Sequence, residues 1–181
     1  DMDIVVPVGS SPAHLAVFRN NGNANFSPRE QYPRPGGGGA GSGVRYFDAS
    51  LVVGDFNGDS FPDFVQSFAR GVLDIGGANV TAGPPYLFLN DGQGRFLTAR
   101  PLSEPDYPIF LLAADINGDG RDDLVTRGSV NEFSGPFKTL AYMGDATGLA
   151  TAPVELAFGL SAPVGADVDR DGDTDFLDSS G

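Results

Sequence analysis

The sequence contains no cysteine, no tryptophan and a single histidine in 181 residues. Without cysteine, neither disulfides nor thiolate metal sites can hold the fold, so any bound metal must be ligated by oxygen, which hard cations prefer. Basic residues are scarce as well, with 11 Lys and Arg against 24 Asp and Glu. The resulting net charge of −13 argues against nucleic acid and anionic membrane as partners, because both repel an acidic protein.

Long apolar runs and helical periodicity are also missing. No stretch approaches the roughly 18 to 20 apolar residues that a membrane helix needs, so membrane insertion is not expected. The 26 glycines and 14 prolines interrupt every candidate helix. The same residues are typical of closely spaced turns between short strands, and the sequence therefore predicts an all-β fold.

A nine-residue loop pattern occurs three times, at Asp55–Asp63, Asp115–Asp123 and Asp167–Asp175. Its first Asp recurs after 60 residues and again after 52. Each copy has carboxylate or amide oxygens at positions one, three, five and nine. One such loop would be weak evidence of a metal site, since Asp, Asn and Gly are common turn formers. Three copies at matching positions favour metal binding.

We predict one Ca²⁺ in each loop, about three in all, with waters completing the roughly six to eight oxygens that Ca²⁺ prefers and Mg²⁺ does not. Position seven contributes its main-chain carbonyl. Three bound ions would move the formal charge from −13 to about −7. The predicted ligands are Asp55, Asn57, Asp59, Phe61 and Asp63 in the first loop, Asp115, Asn117, Asp119, Arg121 and Asp123 in the second, and Asp167, Asp169, Asp171, Asp173 and Asp175 in the third.

Three further residues bear on these loops. Ser60 stands at position six of the first loop, where the other two loops have a glycine that eases the turn. Asp122 and Asp178 are not among the predicted ligands, and we expect both to face solvent. An EF-hand is excluded because it needs a bidentate Glu at position 12 and flanking helices. Position 12 is Gln66, Thr126 or Asp178.

A second repeated element follows the loops along the chain: apolar alternation around a Gly- and Asn-rich turn, at Leu15–Phe26, Tyr86–Phe96 and Leu140–Leu149. Such segments predict β-hairpins. Each unit then has two hairpins, or four short antiparallel strands, which is the blade of a β-propeller. A β-sandwich is the main alternative, but it would not need a fixed period.

The loop residues resemble those of the FG-GAP/VCBS repeat family, the calcium-loop propeller repeats that also occur in integrin α-subunits. The resemblance rests on Asp55–Asp59, Asp115–Gly120 and Asp167–Gly172, each followed by Asp and apolar residues. It implies an extracellular or cell-surface protein used for adhesion, for carbohydrate binding or as a scaffold beside enzymatic domains. It also implies that the loops lie on the face opposite the usual ligand surface.

The domain prediction is a single repeat array that forms a partial propeller. Asp3 is assigned to position nine of a fourth loop whose positions one to five precede the chain. We expect further blades, from the same or another chain, to associate with this one. The predicted boundaries are 1–45 for a partial blade, 46–103 and 108–157 for two complete blades, and 158–181 for a second partial blade.

Catalysis is not predicted. His14 has no recognisable partner and is expected to be a loop residue, and metal loops filled by their own oxygens would be structural. We predict binding of a protein or glycan ligand through connecting loops, namely 9–14, 33–45, 69–85, 101–108 and 127–138. The alternatives are a purely structural repeat of a surface protein or extracellular assembly, and a propeller accessory to an enzyme. Asn79 fits an N-glycosylation acceptor, and Gly36–Gly39 fits a flexible insertion.

Overall fold

The computed structural model describes residues 2–8, 14–33, 44–74, 77–103, 107–129, 136–157, 159–160, 163–170 and 174–178. These residues form β-strands and turns, and none of them belongs to a helix that could span a membrane. The strands are β1 Ile4–Val8, β2 His14–Phe18, β3 Glu30–Pro33, β4 Val44–Gly54, β5 Asp63–Asp74, β6 Gly77–Ala82, β7 Tyr86–Phe88, β8 Arg100–Pro101, β9 Tyr107–Ala114, β10 Asp123–Ser129, β11 Phe137–Tyr142, β12 Gly144–Asp145, β13 Gly148–Leu149, β14 Val154–Leu156, β15 Val164–Ala166 and β16 Asp175–Leu177.

The chain divides into two compact units, residues 1–48 with 70–80, and residues 49–69 with 81–181. The first unit contains the antiparallel sheet β1-β2-β3. Its central strand is apolar, and Leu15, Ala16 and Val17 are buried. His14 was predicted to be a loop residue, and this was wrong. It is the first, buried residue of β2 and pairs with Val8 and Pro33 in the ladder.

The second unit is built on four-stranded antiparallel sheets. Strands β9, β10, β11 and β14 lie side by side in chain order. A five-stranded sheet has the order β4-β5-β7-β8, with β6 pairing with β5 beside this path, and its residues 44–48 and 70–80 belong to the first unit. Two short pairs, β12-β13 and β15-β16, complete the strands. The predicted all-β class with blade-like sheets of four antiparallel strands is confirmed, whereas the predicted blade boundaries stay predictions.

The core of the second unit joins successive sheets. Phe56 of the loop between β4 and β5, together with Val65 and Leu87 of that sheet, packs with Leu124 and Tyr142 of the next sheet, and all five residues are at most 1% exposed. Burying each such side chain stabilises the fold by about 1.5–3 kcal/mol relative to leaving it in water. A second cluster, in which Phe176 and Ile116 pack against Val125, Ala141 and Leu160, reaches β16. Packing therefore runs from sheet to sheet, as stacked repeats require.

Segment 69–85 was predicted to be a connecting loop, and this was wrong. Strand β5 continues to Asp74, and β6, Gly77–Ala82, pairs back onto it. Val80 and Thr81 are β-branched, and such residues favour a pleated strand. Asn79 consequently lies on a strand. Residues 9–13, 34–43, 104–106 and 130–135 of the other predicted binding loops lie outside the described residues, and Gly36–Gly39 lies among them.

Candidate metal centres

The three Asp-rich loops occupy equivalent places in their sheets. They connect β4 to β5, β9 to β10 and β15 to β16. The residue at position four has a positive φ in each, 74° at Gly58, 73° at Gly118 and 65° at Arg170. Position six is also left-handed, at Ser60 (67°) and Gly120 (82°). Glycine adopts this region without strain, but Ser60 and Arg170 do not. The loop conformation is thus kept even where the sequence lacks the favoured residue.

The carboxylate at position one closes the loop on itself. Oδ1 of Asp55 accepts hydrogen bonds from the main-chain N–H groups of Gly58 and Asp59 at 2.8 and 3.0 Å, and Oδ2 accepts one from Ser60 at 2.8 Å. Asp115 repeats this set in the second loop. Burial alone would raise the pKa of Asp115, but its N–H donors outweigh burial and hold the pKa below its usual value. The carboxylate of Asp115 therefore stays ionised.

Oxygens at positions three and five line the exposed side of the turn. Oδ1 of Asn57 accepts from the N–H of Asp59 at 3.0 Å, and Oδ1 of Asp59 accepts from the N–H of Phe61 at 2.9 Å. The second loop has the same two bonds, each 2.9 Å long, through Asn117 and Asp119. Each of these oxygens has a second lone pair. They can therefore keep the loop geometry and still ligate a cation.

The residues predicted to ligate through position seven differ in their surroundings. Phe61 is 43% exposed, so its side chain takes no part in the core. The guanidinium of Arg121 lies 3.6 Å from Oδ2 of Asp119. This positive charge beside a predicted ligand partly balances the loop's negative charge.

In the first two loops, the side chain at position nine is buried and bonds to a distant hairpin. Oδ2 of Asp63 accepts from the N–H of Phe56 at 3.2 Å, and Oδ1 accepts from the N–H of Asn90 at 2.8 Å. Asp123 makes the same two contacts, with Ile116 at 3.1 Å and Gly144 at 2.7 Å. Both carboxylates are inaccessible to solvent. The side chain at position nine thus joins the loop to the end of the third strand of its sheet.

The negative charge on these buried carboxylates is energetically unfavourable. Desolvation raises the pKa of Asp63 and, together with the nearby charges of Asp59 and Asp55, brings it to about 6, although the N–H groups of Asn90 and Phe56 lower it. The pKa of Asp123 is raised for the same reasons. A buried charge that faces like charges is costly unless a counter-charge is supplied. A cation held between these carboxylates would supply that charge.

The third loop brings three predicted ligands together. One carboxylate oxygen each from Asp167, Asp169 and Asp175 lies within 4.8 Å of the others, all on exposed residues, and no other group of acidic or histidine side chains in the described residues does so. Oδ2 of Asp175 accepts from the N–H of Val168 at 3.0 Å, the contact that position nine makes in the other loops. Asp171 and Asp173 lie outside the described residues. The donors of all three loops are oxygens, which fits Ca²⁺.

A family model described as an FG-GAP-like repeat matches residues 1–65 and 70–126, more than half of the chain. The chain belongs to the FG-GAP-like repeat family. The resemblance inferred from the loop residues is thereby confirmed. The matched FG-GAP-like ranges include the first two loops, and the third loop, beyond them, is assigned by its φ angle and by the bond from Val168 to Asp175.

The first unit of this FG-GAP-like chain contains a further position-nine contact. Oδ1 of Asp3 accepts from the N–H of Asn20 at 2.8 Å, and Oδ2 lies 3.2 Å from the guanidinium of Arg19. Asn20 begins the turn after β2 and bridges to Phe26, as Asn90 bridges to Phe96. Asp3 therefore makes the hairpin contact of Asp63, and we read it as position nine on geometry as well as on sequence.

Asp122 was predicted to face solvent, and this was wrong. Its Oδ2 accepts from the N–H of Asp55 at 2.7 Å, and its own N–H donates to the carbonyl oxygen of Asp55 at 2.9 Å. Asp122 is at position eight of the second FG-GAP-like loop and Asp55 at position one of the first, so the contact joins two repeats. The sequence offers one signal, an acid at position eight where the first loop has Pro62. Asp178 is partly buried as well.

Proposed function

We propose that this chain is a calcium-stabilised, non-catalytic β-propeller repeat module that works outside the cell and binds a protein or glycan ligand. The observation that carries the calcium part is the repeated oxygen donor set, with its buried position-nine carboxylate facing two further acids in the first two loops. Extracellular calcium modules bind with dissociation constants of about 10⁻⁴–10⁻³ M. Because the loops are largely exposed to solvent, we expect their affinity for Ca²⁺ to lie in that range.

The proposed ligands are those assigned from the sequence, from Asp55 to Asp63, from Asp115 to Asp123 and from Asp167 to Asp175. Bound Ca²⁺ would supply two positive charges per loop and neutralise the repulsion between its carboxylates. Because position nine also holds the N–H of Asn90 or Gly144, a cation in the loop would stabilise the hairpin beyond it. The role proposed for the metal is therefore structural.

The surroundings of the titratable groups support a non-catalytic role. His14, the only histidine in the sequence, is buried in β2. Asp63 and Asp123, whose pKa values are raised, have both carboxylate oxygens engaged by main-chain N–H groups. A general base needs a lone pair directed at a substrate proton, and these carboxylates face their own loops.

One exposed aromatic side chain supports ligand binding. Phe137 is 46% exposed at the start of β11, and the guanidinium of Arg127 lies 5.3 Å from the centre of its ring. Both residues flank the connection between the second and third strands of their sheet, a segment predicted to contact ligand. An aromatic face held by an arginine is a suitable platform for a sugar ring or a peptide side chain.

The calcium part is tested by titrating metal-stripped protein with CaCl₂ in a calorimeter, with about three ions expected per chain. Ca²⁺ at ten times the dissociation constant should stabilise the fold by about 1.4 kcal/mol per site, which is roughly 3–6 °C in melting temperature for each site. Asp59→Ala should remove one site. Glu155→Gln is the matched control, because Glu155 is an exposed acid paired with Lys138 outside the loops. No uptake and no thermal shift would refute this part.

The ligand part is tested separately on a glycan array and in pull-down with surface proteins. Phe137→Ala should abolish captured signal while leaving the melting temperature within about 2 °C of the wild type. Folded, calcium-loaded protein that binds nothing in either assay would contradict ligand binding. Ordered self-association under those conditions would favour the structural alternative.

A further inference from the structure

An acid at position eight is peculiar to the second loop. Asp122 occupies this position, where the first loop has Pro62 and the third has Thr174. The turn itself therefore does not need a carboxylate there. In the folded chain this carboxylate is turned away from its own loop and contacts the first loop, 67 residues earlier in the chain.

The contact is made by two hydrogen bonds between the same pair of residues. Asp122 Oδ2 accepts from the N–H of Asp55 at 2.7 Å, and the N–H of Asp122 donates to the carbonyl of Asp55 at 2.9 Å. A Cβ atom on the preceding Gly54 would lie 2.9 Å from the same Oδ2 and 3.0 Å from the Cβ of Asp122. The absence of a side chain at Gly54 is what allows this close approach.

A second point of contact lies three residues further along the first loop. The side chain of Arg121 covers Gly58, since a Cβ atom on Gly58 would lie 3.1 Å from both Cγ and Nε of Arg121. The second loop thus contacts the first loop at two points. One is position one, Asp55, directly after the end of β4, and the other is position four, Gly58, where φ is positive.

We propose that Asp122 is a positioning residue for the cation site of the first loop, although it belongs to the second. The inference rests on the proposed calcium binding. By fixing the main chain of Asp55, it holds the position-one carboxylate where the N–H groups of Gly58 and Ser60 meet it. Because the loop is already ordered before a cation binds, less of the binding free energy is lost in ordering it. The first site therefore depends on the repeat that follows it.

The test isolates each loop before Asp122 is changed. Asp119→Ala with Asp169→Ala leaves the first loop as the complete site, and Asp59→Ala with Asp169→Ala leaves the second. A hydrogen bond to a charged group is worth about tenfold or more in an equilibrium constant. Adding Asp122→Ala should therefore weaken Ca²⁺ binding about tenfold in the first-loop protein, with less than about a twofold change in the second-loop protein.

Two readouts distinguish positioning from general damage. Asp122→Asn keeps a carbonyl oxygen that can accept from Asp55, so it should restore the affinity of the first loop. Hydrogen exchange of the Asp55 amide in metal-free protein should be faster in Asp122→Ala and normal in Asp122→Asn. If Asp122→Ala fails to fold, Gly54→Ala displaces the same carboxylate and should weaken the first loop alone.

Three results would overturn the proposal: equal weakening in both single-loop proteins, weakening confined to the second loop, or failure of Asp122→Asn to rescue. Each of these would leave the calcium function standing. If the single-loop proteins with Asp122 intact take up no Ca²⁺, both the positioning proposal and the proposed calcium binding are overturned. That failure would be visible before Asp122 is changed.

Discussion

Replacing Gly144 with Ala should destabilise the folded chain by about 2–3 kcal/mol. The new Cβ atom would lie 2.7 Å from the carbonyl oxygen of Asp122, 2.9 Å from the Cβ of Arg121 and 3.0 Å from the carbonyl oxygen of Phe56. Ordinary contacts begin near 3.4 Å, so main-chain segments must move by roughly half an ångström, and overpacking of this kind costs about 1–3 kcal/mol. The movement also lengthens the 2.7 Å bond from Gly144 to Asp123.

Thermal melts in EDTA measure this effect without any contribution from metal. The expected loss corresponds to a melting temperature lower by about 5–10 °C for a chain of this size. Gly83→Ala is the matched control, because its new Cβ atom would have no neighbour within 4 Å, and it should change stability by less than about 0.5 kcal/mol. A Gly144→Ala protein that melts within about 2 °C of the wild type would refute the reasoning.

Ser60→Gly should stabilise the first loop by up to about 1 kcal/mol, and Gly120→Ser should destabilise the second by a similar amount, since both positions have a positive φ. Urea unfolding measures both effects, and a stabilising Gly120→Ser would contradict the argument. The melting temperature of metal-stripped protein should be higher at pH 5 than at pH 7.5. At pH 5, Asp63, with its pKa raised to about 6, binds a proton in the folded state that the unfolded chain has already released. A higher melting temperature at pH 7.5 would contradict this. Tyr142→Phe should cost about 1 kcal/mol, the worth of its hydrogen bond to Ser103, and an unchanged urea midpoint would show that water replaces the bond.

The features that could be predicted from the sequence are encoded locally. The turn at Asp55–Asp63 is specified by its own residues, since Gly58 supplies the positive φ and Asp55 accepts the N–H groups that follow it. Repetition of such a segment predicts the repeat and its sheets. The family was recognisable for the same reason.

The remaining features depend on residues that are far apart in the chain. Asp122 looked like a solvated acid because its partner, Asp55, lies 67 residues away, and the one local signal, an acid at position eight, does not identify that partner. Asp63 could be assigned as a ligand, but its burial and its bond to Asn90, 27 residues later, emerge only when the sheet forms. The extension of β5 to Asp74 was missed because it forms together with β6, which pairs with it, in a segment that was predicted to be the connection between two strands.

The bond from position nine to the following hairpin also changes how such repeats should be compared and redesigned. Asp3, Asp63 and Asp123 all make it. Because this aspartate also holds the hairpin, its presence in an alignment is by itself a weak marker of metal binding, and the full set of oxygens at positions one, three, five and nine is the informative pattern. A redesigned repeat should therefore keep the aspartate at position nine together with the one at position one, which accepts the N–H groups of the turn.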